Sequence, residues 1–269
     1  DNMKNILVCY LYTKFDNIRK INCFLKNYKK YKSGIKHDLI ICFKLLDQHD
    51  LKIARKALKN IIYIEFIDPC KKNDWDFGSY KRVAKKYYNK DILYLNSHSY
   101  PICHDWLKKL CFHKKKNSII APTGSHESIL ESIKLKGKLH KIIRYIRRKS
   151  KFSKNFNSFP NPHLRTSSFL INSKHFYQYI KNKKMNNKDE TLMIESGKDG
   201  ITNYFKKKKF NMIVVNSDGN KFKEDEWMYS ETYHYQKQSK NIISDKYTRN
   251  YLKLSSSEKK ISKIKIWGN

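Results

Sequence analysis

Residues 5–45 read NILVCYLYTKFDNIRKINCFLKNYKKYKSGIKHDLIICFKL, and this stretch decides the fold. Residues 5–12 form a short, continuous apolar run, the pattern of a strand buried on both faces. Residues 14–31 then place Ile18, Ile21, Phe24 and Leu25 on one side of a helix, and residues 38–45 return to a strand. Outward from there the unit repeats. Residues 48–59 read as helix, 61–66 as strand, 80–88 as helix and 91–96 as a fourth strand. Strands alternating with helices of about ten to fifteen residues need crossover connections, so the expected fold is α/β, a mostly parallel Rossmann-like sheet flanked by helices. In such a sheet, ligands bind at the carboxyl ends of the strands.

Residues 118–122 read as a further strand, 126–149 as a long helix, 150–162 as a polar loop and 168–172 as a strand. A helix at 174–181, a polar stretch to 188, a helix at 200–209 and a last strand at 211–216 follow. Beyond Asp218 the chain is polar and aromatic with weak periodicity, so residues 217–269 are expected to wrap the domain formed by 1–216. The 126–149 helix would set Ile129, Ile133, Ile142 and Ile146 against Lys134, Lys138, Lys141, Arg144 and Arg148, a basic amphipathic pattern suited either to a core-facing helix or to an anionic bilayer surface.

The 269 residues carry a formal net charge of +34. Such a charge suits nucleic acid, an anionic membrane or an acidic substrate. Only eight of the 58 basic residues are Arg, the side chain that reads phosphate with a planar fork, and the Lys are spread over every helix. No recognisable nucleic-acid-binding module interleaves aromatic and basic residues, so nucleic acid is not the expected partner. The six cysteines are scattered without a C-x-x-C spacing, which suits reduced thiols better than a zinc site or a disulfide framework. No apolar run approaches the length of a spanning helix, and the reading is of a cytoplasmic protein, at most lying on a membrane.

Four clusters carry candidate chemistry. Asn73-Asp74-Trp75-Asp76-Phe77-Gly78-Ser79-Tyr80-Lys81 lies between a strand and a helix, where carboxylates can accept from a ribose or hold a cation and a helix start favours phosphate. Capping and a buried Trp would explain the same residues. Asn96-Ser97-His98 ends the fourth strand, beside the first cluster in a crossover sheet. His163, Arg165 and Thr166 follow Pro162, and Arg can grip a phosphate through two hydrogen bonds. Glu190, Glu195 and Asp199 precede a helix that leads to the last strand.

The order DWDFGSYK, a helix, then DILYLNSHSYP resembles bacterial polysaccharide glycosyltransferases of the GT-A type. It is most similar to the rhamnan-synthesis and related family-2-like proteins, which carry a DFG-x-Y segment and then a hydrophobic strand ending in N-D-S. The resemblance covers residues 4–216 in element order, and only these segments are specific. It implies transfer of a hexose or deoxyhexose from a nucleotide-sugar donor to a polysaccharide or glycolipid acceptor, with inversion, at the inner face of a membrane. Donor contacts would fall to Tyr12, Asp74, Asp76, Gly78, Tyr80, Lys81, Asn96, Ser97 and His98, and acceptor or phosphate contacts to His163, Arg165 and Thr166. Glu195 matches the catalytic base, with Asp199 and Glu190 as alternates, and Lys81 or Arg165 would neutralise the diphosphate. The family's metal-binding carboxylates are replaced by Asn96, Ser97 and His98, so a Mn²⁺ or Mg²⁺ cofactor would be left to His98 or Asp76. That departure leaves open a degenerate GT-A-like interaction protein, and the charge alone leaves a basic nucleic-acid binder as the weakest alternative.

Overall fold

The computed structural model describes residues 6–132 and 139–268. Eight strands form one sheet: β1 (Ile6–Thr13), β2 (His37–Lys44), β3 (Ile64–Asp68), β4 (Asp91–Leu95), β5 (Ser118–Ala121), β6 (Ser168–Asn172), β7 (Asn211–Val215) and β8 (Lys221–Phe222). Their order is β8-β7-β5-β6-β4-β1-β2-β3. β1 runs parallel to β2 and β4, β2 to β3, and β5 to β7, while β6 and β8 run against their neighbours. The expected α/β class, a mostly parallel sheet flanked by helices, is the one observed.

All eight residues of β1 are buried, because both of its faces are covered. Leu7, Cys9 and Leu11 share a core with Tyr80, Val83 and Ala84 of α3 (Trp75–Lys86) and with Phe176 and Ile180 of Ser173–Ile180. Ile6, Val8, Tyr10 and Tyr12 point the other way, against Phe24 of α1 (Ile18–Lys30), Leu51 of α2 (Gln48–Leu58) and Trp106 of α4 (Trp106–Phe112). A strand's period of two thus feeds two cores from one segment.

Several boundaries differ from expectation. α3 starts at Trp75 rather than near Tyr80, because the polar DWD text is a charged helix start and not a loop. In place of one helix over 126–149, a single turn at Ile129–Ser132 precedes α5 (Leu139–Asn155), which runs on because Phe152 and Phe156 are buried. Lys134, Lys138 and Ile133 lie outside the described residues. After α6 (Ser173–Ile180) comes an unexpected α7 (Lys188–Ser196), capped by the Asn187 side chain accepting from the Glu190 N–H. Only Thr191 and Ile194 of α7 are buried, too few to show a period. α8 (Ile201–Lys207), α9 (Lys246–Leu252) and α10 (Ser256–Trp267) complete the chain. The tail packs onto the sheet: Trp227, Tyr233, Tyr251, Ile266 and Trp267 are buried, and the Trp267 indole N–H donates to the Tyr233 carbonyl at 3.0 Å.

A charge network fixes the start of α3. Arg82 reaches both oxygens of Asp68, Nε at 2.5 Å and a terminal nitrogen at 2.8 Å, and also both oxygens of Asp74, at 2.6 and 3.0 Å. Lys44, 1% exposed, donates to Asp74 Oδ1 at 2.5 Å and to the Trp75 carbonyl. Ser79 donates to Asp68 Oδ2 at 2.5 Å. Burial works against the Asp74 carboxylate, but the Arg82 and Lys44 hydrogen bonds outweigh it and hold its pKa below the usual range.

Removing one partner of a buried, hydrogen-bonded pair leaves the other charge stranded. Asp68→Ala is therefore expected to cost about 3–5 kcal/mol in urea unfolding. Asp38→Ala, at an exposed strand start, should change stability by less than about 0.5 kcal/mol. Equal effects of the two would refute the network's role.

Candidate active site

The chain leaves β1 for β2 on one side and reaches β4 on the other, so the loops after β1 and β4 diverge. This is the switch point where open α/β sheets bind ligands. Asp16, just past β1, spans it. Its Oδ2 accepts from the Thr13 N–H at 2.9 Å and the Thr13 hydroxyl at 2.8 Å. Its Oδ1 accepts from Ser97 Oγ at 2.8 Å and pairs with Lys20 Nζ at 2.5 Å. Lys20, in the first turn of α1, also lies 3.0 Å from His98 Nε2. An ammonium can only donate, so Nε2 is the accepting nitrogen and His98 is neutral. Burial, then Lys20, lowers the His98 pKa, with Asp16 opposing and Lys246 and Arg249 adding to the fall.

Asp76, in the first turn of α3, makes no hydrogen bond or ion pair with any described residue. It is recessed in the crevice, and burial raises its pKa to about 6; Lys44 opposes this, while Asp16 and Glu195 reinforce it. Glu195, near the end of α7, accepts through Oε1 from the Thr166 hydroxyl at 2.8 Å and N–H at 3.3 Å. Glu195 also lines a cleft of about 400 Å³ with His163, Arg165, Tyr233, Tyr247 and Lys265. Glu195 therefore lines this cleft and also adds to the rise in the Asp76 pKa.

Of the expected donor contacts, Asp76, Ser97 and His98 come together here. Asn96 orders their loop, its side-chain oxygen accepting from the His98 N–H at 3.1 Å and from Ser99 Oγ at 2.8 Å. The Tyr12 hydroxyl is 3.5 Å from the Asp16 carbonyl. The remaining contacts are taken up by the fold. Asp74 is held by Arg82 and Lys44, and a Cβ at Gly78 would meet the Asp74 carboxyl at 2.0–2.2 Å, so the glycine makes room for that carboxylate. Tyr80 is fully buried among Phe77, Tyr94 and Phe169, and Lys81 donates to the Lys181 carbonyl instead of facing the crevice.

His163 lines the cleft, with Nδ1 2.8 Å from the Asn161 carbonyl and its pKa lowered by burial, while Thr166 serves to hold Glu195. Arg165 does not offer a free fork. It is 7% exposed, pairs with Asp245 at 2.6 Å and lies 4.0 Å over the Tyr233 ring, so it anchors the tail. Asp199 carries a carboxylate that is 74% exposed and pairs with Lys207. Glu190 is five residues before Glu195, about 140° around the helix, and it accepts from the Asn186 N–H at the start of α7.

The Mn²⁺ or Mg²⁺ that the resemblance implies asks for several free oxygen ligands. The β4 loop does not offer them. The Asn96 oxygen and both Asp16 oxygens are occupied, Ser97 donates its hydroxyl, and the accepting nitrogen of His98 faces an ammonium. No group of three or more His, Cys, Asp or Glu among the described residues is arranged to hold a metal. The β4 loop residues do not fit the cation, and the carboxylate of Asp76 alone does not supply the several oxygens it asks for.

Sequence reasoning missed Asp16, Lys20, Lys246 and Arg249. Asp16 had a signal, being the carboxylate that follows β1 at the edge where ligands bind. Lys246 and Arg249 come from the weakly periodic tail and had none.

No family model matches the chain, and no curated protein matches it in sequence. Among solved structures it is similar to the apo-form glycosyltransferase GlyE of Streptococcus pneumoniae TIGR4, at 12% identity over 77% of this chain and 44% of that one, TM-score 0.43. It is also similar to 4-diphosphocytidyl-2C-methyl-D-erythritol synthase of Anaerococcus prevotii DSM 20548, at 10% identity over 79% and 88%, TM-score 0.47. A third is the mannosyltransferase PcManGT of Pyrobaculum calidifontis in complex with GDP-Man and Mn²⁺, at 8% identity over 45% and 36%, TM-score 0.35. The chain spans less than half the length of the streptococcal enzyme. Likenesses of this strength carry neither an activity nor a residue role to this chain.

Because folding raises the Asp76 pKa, its proton stabilises the folded state below the ordinary aspartate range, and that contribution is lost as pH rises through about 6. Asp76→Asn is expected to match the wild type near pH 4 and to be more stable above pH 7 by about 1–3 kcal/mol. Urea midpoints measured across pH check this, and parallel curves for the two proteins would contradict it.

Proposed function

We propose that this chain is an inverting, GT-A type glycosyltransferase that takes a hexose or deoxyhexose from a nucleotide-sugar donor in the β1/β4 crevice. The acceptor, a polysaccharide or glycolipid, enters the cleft beyond Glu195. The observation that carries this reading is the position of Glu195, close enough to Asp76 to raise its pKa and at the same time in the wall of the 400 Å³ cleft. A group-transfer enzyme needs a base between its two substrates, and Glu195 stands between the two chambers.

In the reaction, an acceptor hydroxyl attacks the anomeric carbon from the face opposite the diphosphate. The new C–O bond forms as the bond from the anomeric carbon to the phosphate oxygen breaks, and that electron pair leaves with the nucleoside diphosphate. Glu195 takes the hydroxyl proton as the bond forms. Thr166 holds Oε1, which leaves Oε2 to receive the proton. Asp76, which has no partner among the described residues, accepts from donor hydroxyls.

A membrane-bound acceptor at the cytoplasmic face agrees with the +34 charge and with α5, where Ile143 and Ile146 are 54% and 58% exposed near the exposed Arg147. No helix among the described residues is long and apolar enough to cross a membrane.

Calorimetric titration with UDP, GDP, dTDP and CMP is expected to give micromolar binding of one nucleotide, lost in Asp76→Ala. Glu195→Gln should retain that binding and lower the transfer rate by about 10²–10⁴-fold. Failure of all four nucleotides to bind the folded protein would refute the donor site, and full transfer activity in Glu195→Gln would refute the base.

A further inference from the structure

The β4 loop is surrounded by positive charge where the resemblance calls for carboxylates. Among the described residues, the charges that act most on His98 are Lys20, Lys246 and Arg249, with Asp16 opposing them. Lys20 comes from α1, and the other two come from α9 in the tail. An ammonium has three N–H donors. Lys20 uses two, on Asp16 and His98, and meets no third acceptor among the described residues. Arg249 donates to the His98 carbonyl at 3.0 Å and to Ser244 Oγ at 3.1 Å, stacks 4.8 Å from the Tyr100 ring, and forms no ion pair with a described residue. Lys246 is exposed and forms neither hydrogen bond nor ion pair there.

The buried and half-buried cations at the neighbouring strand ends are neutralised. Lys44 and Arg82 balance Asp74 and Asp68, and Arg165 balances Asp245. Lys20 and Arg249 differ from these in being held by the fold at the switch point without full neutralisation. Around His98 itself, three cations against one carboxylate make a poor seat for a divalent metal and a good one for phosphate oxygens, while Asp76 and Glu195 supply the negative charge elsewhere in the crevice.

We propose that Lys20 and Arg249, held in place by the fold, and the exposed Lys246 from the same helix as Arg249 form a cationic subsite that receives the diphosphate of the donor and stabilises it as it leaves, in place of a divalent metal. Asp16 and His98 are its positioning residues. They hold the Lys20 side chain extended before the donor arrives, so the cation need not reorganise during transfer. The subsite is completed by α9, which the Arg165–Asp245 pair fastens to the sheet. This inference rests on the nucleotide-donor reading above and adds to it the source of positive charge.

The test is calorimetry on the full chain with UDP, GDP, dTDP and inorganic pyrophosphate, first in EDTA and then with Mn²⁺. Wild type, Lys20→Ala, Lys20→Arg and Lys246→Ala are compared, with circular dichroism and melting as controls for folding. Binding is expected in EDTA and weakened about tenfold or more in Lys20→Ala, the loss of one charge-assisted hydrogen bond. Mn²⁺ should not restore it. Lys20→Arg should retain most of the affinity. Lys246→Ala, at an exposed side chain without partners, should bind more weakly while melting like the wild type, which keeps the test decisive even where Lys20→Ala does not fold. Binding that appears only with Mn²⁺, or that is equally tight in Lys20→Ala and Lys246→Ala, would overturn the cationic subsite and leave the donor reading intact. No binding by the wild type in either buffer would overturn the donor reading itself.

Discussion

The Asp68–Arg82–Asp74–Lys44 network is the constraint on which the candidate site depends. Two anions and two cations cancel, and nearly every oxygen and nitrogen in it has a partner, which is the condition under which buried charge is tolerated. Asp68 ends β3, Lys44 ends β2, Asp74 precedes α3 and Arg82 lies two turns into it. The network therefore ties the helix start to two strand ends. Trp75 is held at φ 53, a left-handed conformation unusual for a bulky residue, and its carbonyl accepts from Lys44. The next residue is Asp76, which has no hydrogen-bond or ion-pair partner among the described residues, and Lys44 of the network only partly offsets its burial.

A second tie acts on the opposite flank. Asp16 joins the β1 and β4 loops through Ser97 and Lys20, and Asp245 joins the tail to the sheet through Arg165 and Ser167. Burial disfavours the Asp245 carboxylate, but Arg165 and the Ser167 hydroxyl outweigh this and lower its pKa. That pair acts together with the antiparallel pairing of Ile243–Ser244 to Tyr100–Pro101, which lays α9 against the β4 loop where Arg249 reaches the His98 carbonyl. The tail is thus part of the site's walls, supplying Tyr233, Tyr247 and Lys265 to the cleft as well as Arg249 and Lys246 to the crevice.

The sheet was legible because a parallel strand buried on both faces writes itself as an unbroken apolar run: 168–172 matched β6 to the residue, and β1 and β2 were each displaced by one. The α3 start was illegible for the opposite reason. Asp74 and Asp76 look alike in sequence, and only the third dimension shows one carboxylate neutralised by Lys44 and Arg82 and the other left alone. Gly78 reads as a phosphate loop residue, yet the space where its Cβ would sit is filled by Asp74. The same blindness applies to Glu190, Glu195 and Asp199, three acids within ten residues. Helix phase sends Glu190 away from the crevice and exposure sends Asp199 to Lys207, and α7 itself carried too few buried residues to announce that phase.

The charge of the whole chain misleads in a similar way. Lysines dispersed over every helix raise the general potential and draw anions toward the surface, but they do not choose a place for them. Placement comes from the few cations that are held in fixed positions and lack anions of their own. Lys44, Arg82 and Arg165 satisfy only the first condition, and most surface lysines satisfy only the second. Arg249 satisfies both, and Lys20 comes close, since its one carboxylate, Asp16, is already bonded to Thr13 and Ser97. Their convergence on the β1/β4 switch point is therefore a property of the fold rather than of composition, and it puts positive charge where the sheet topology already calls for a ligand.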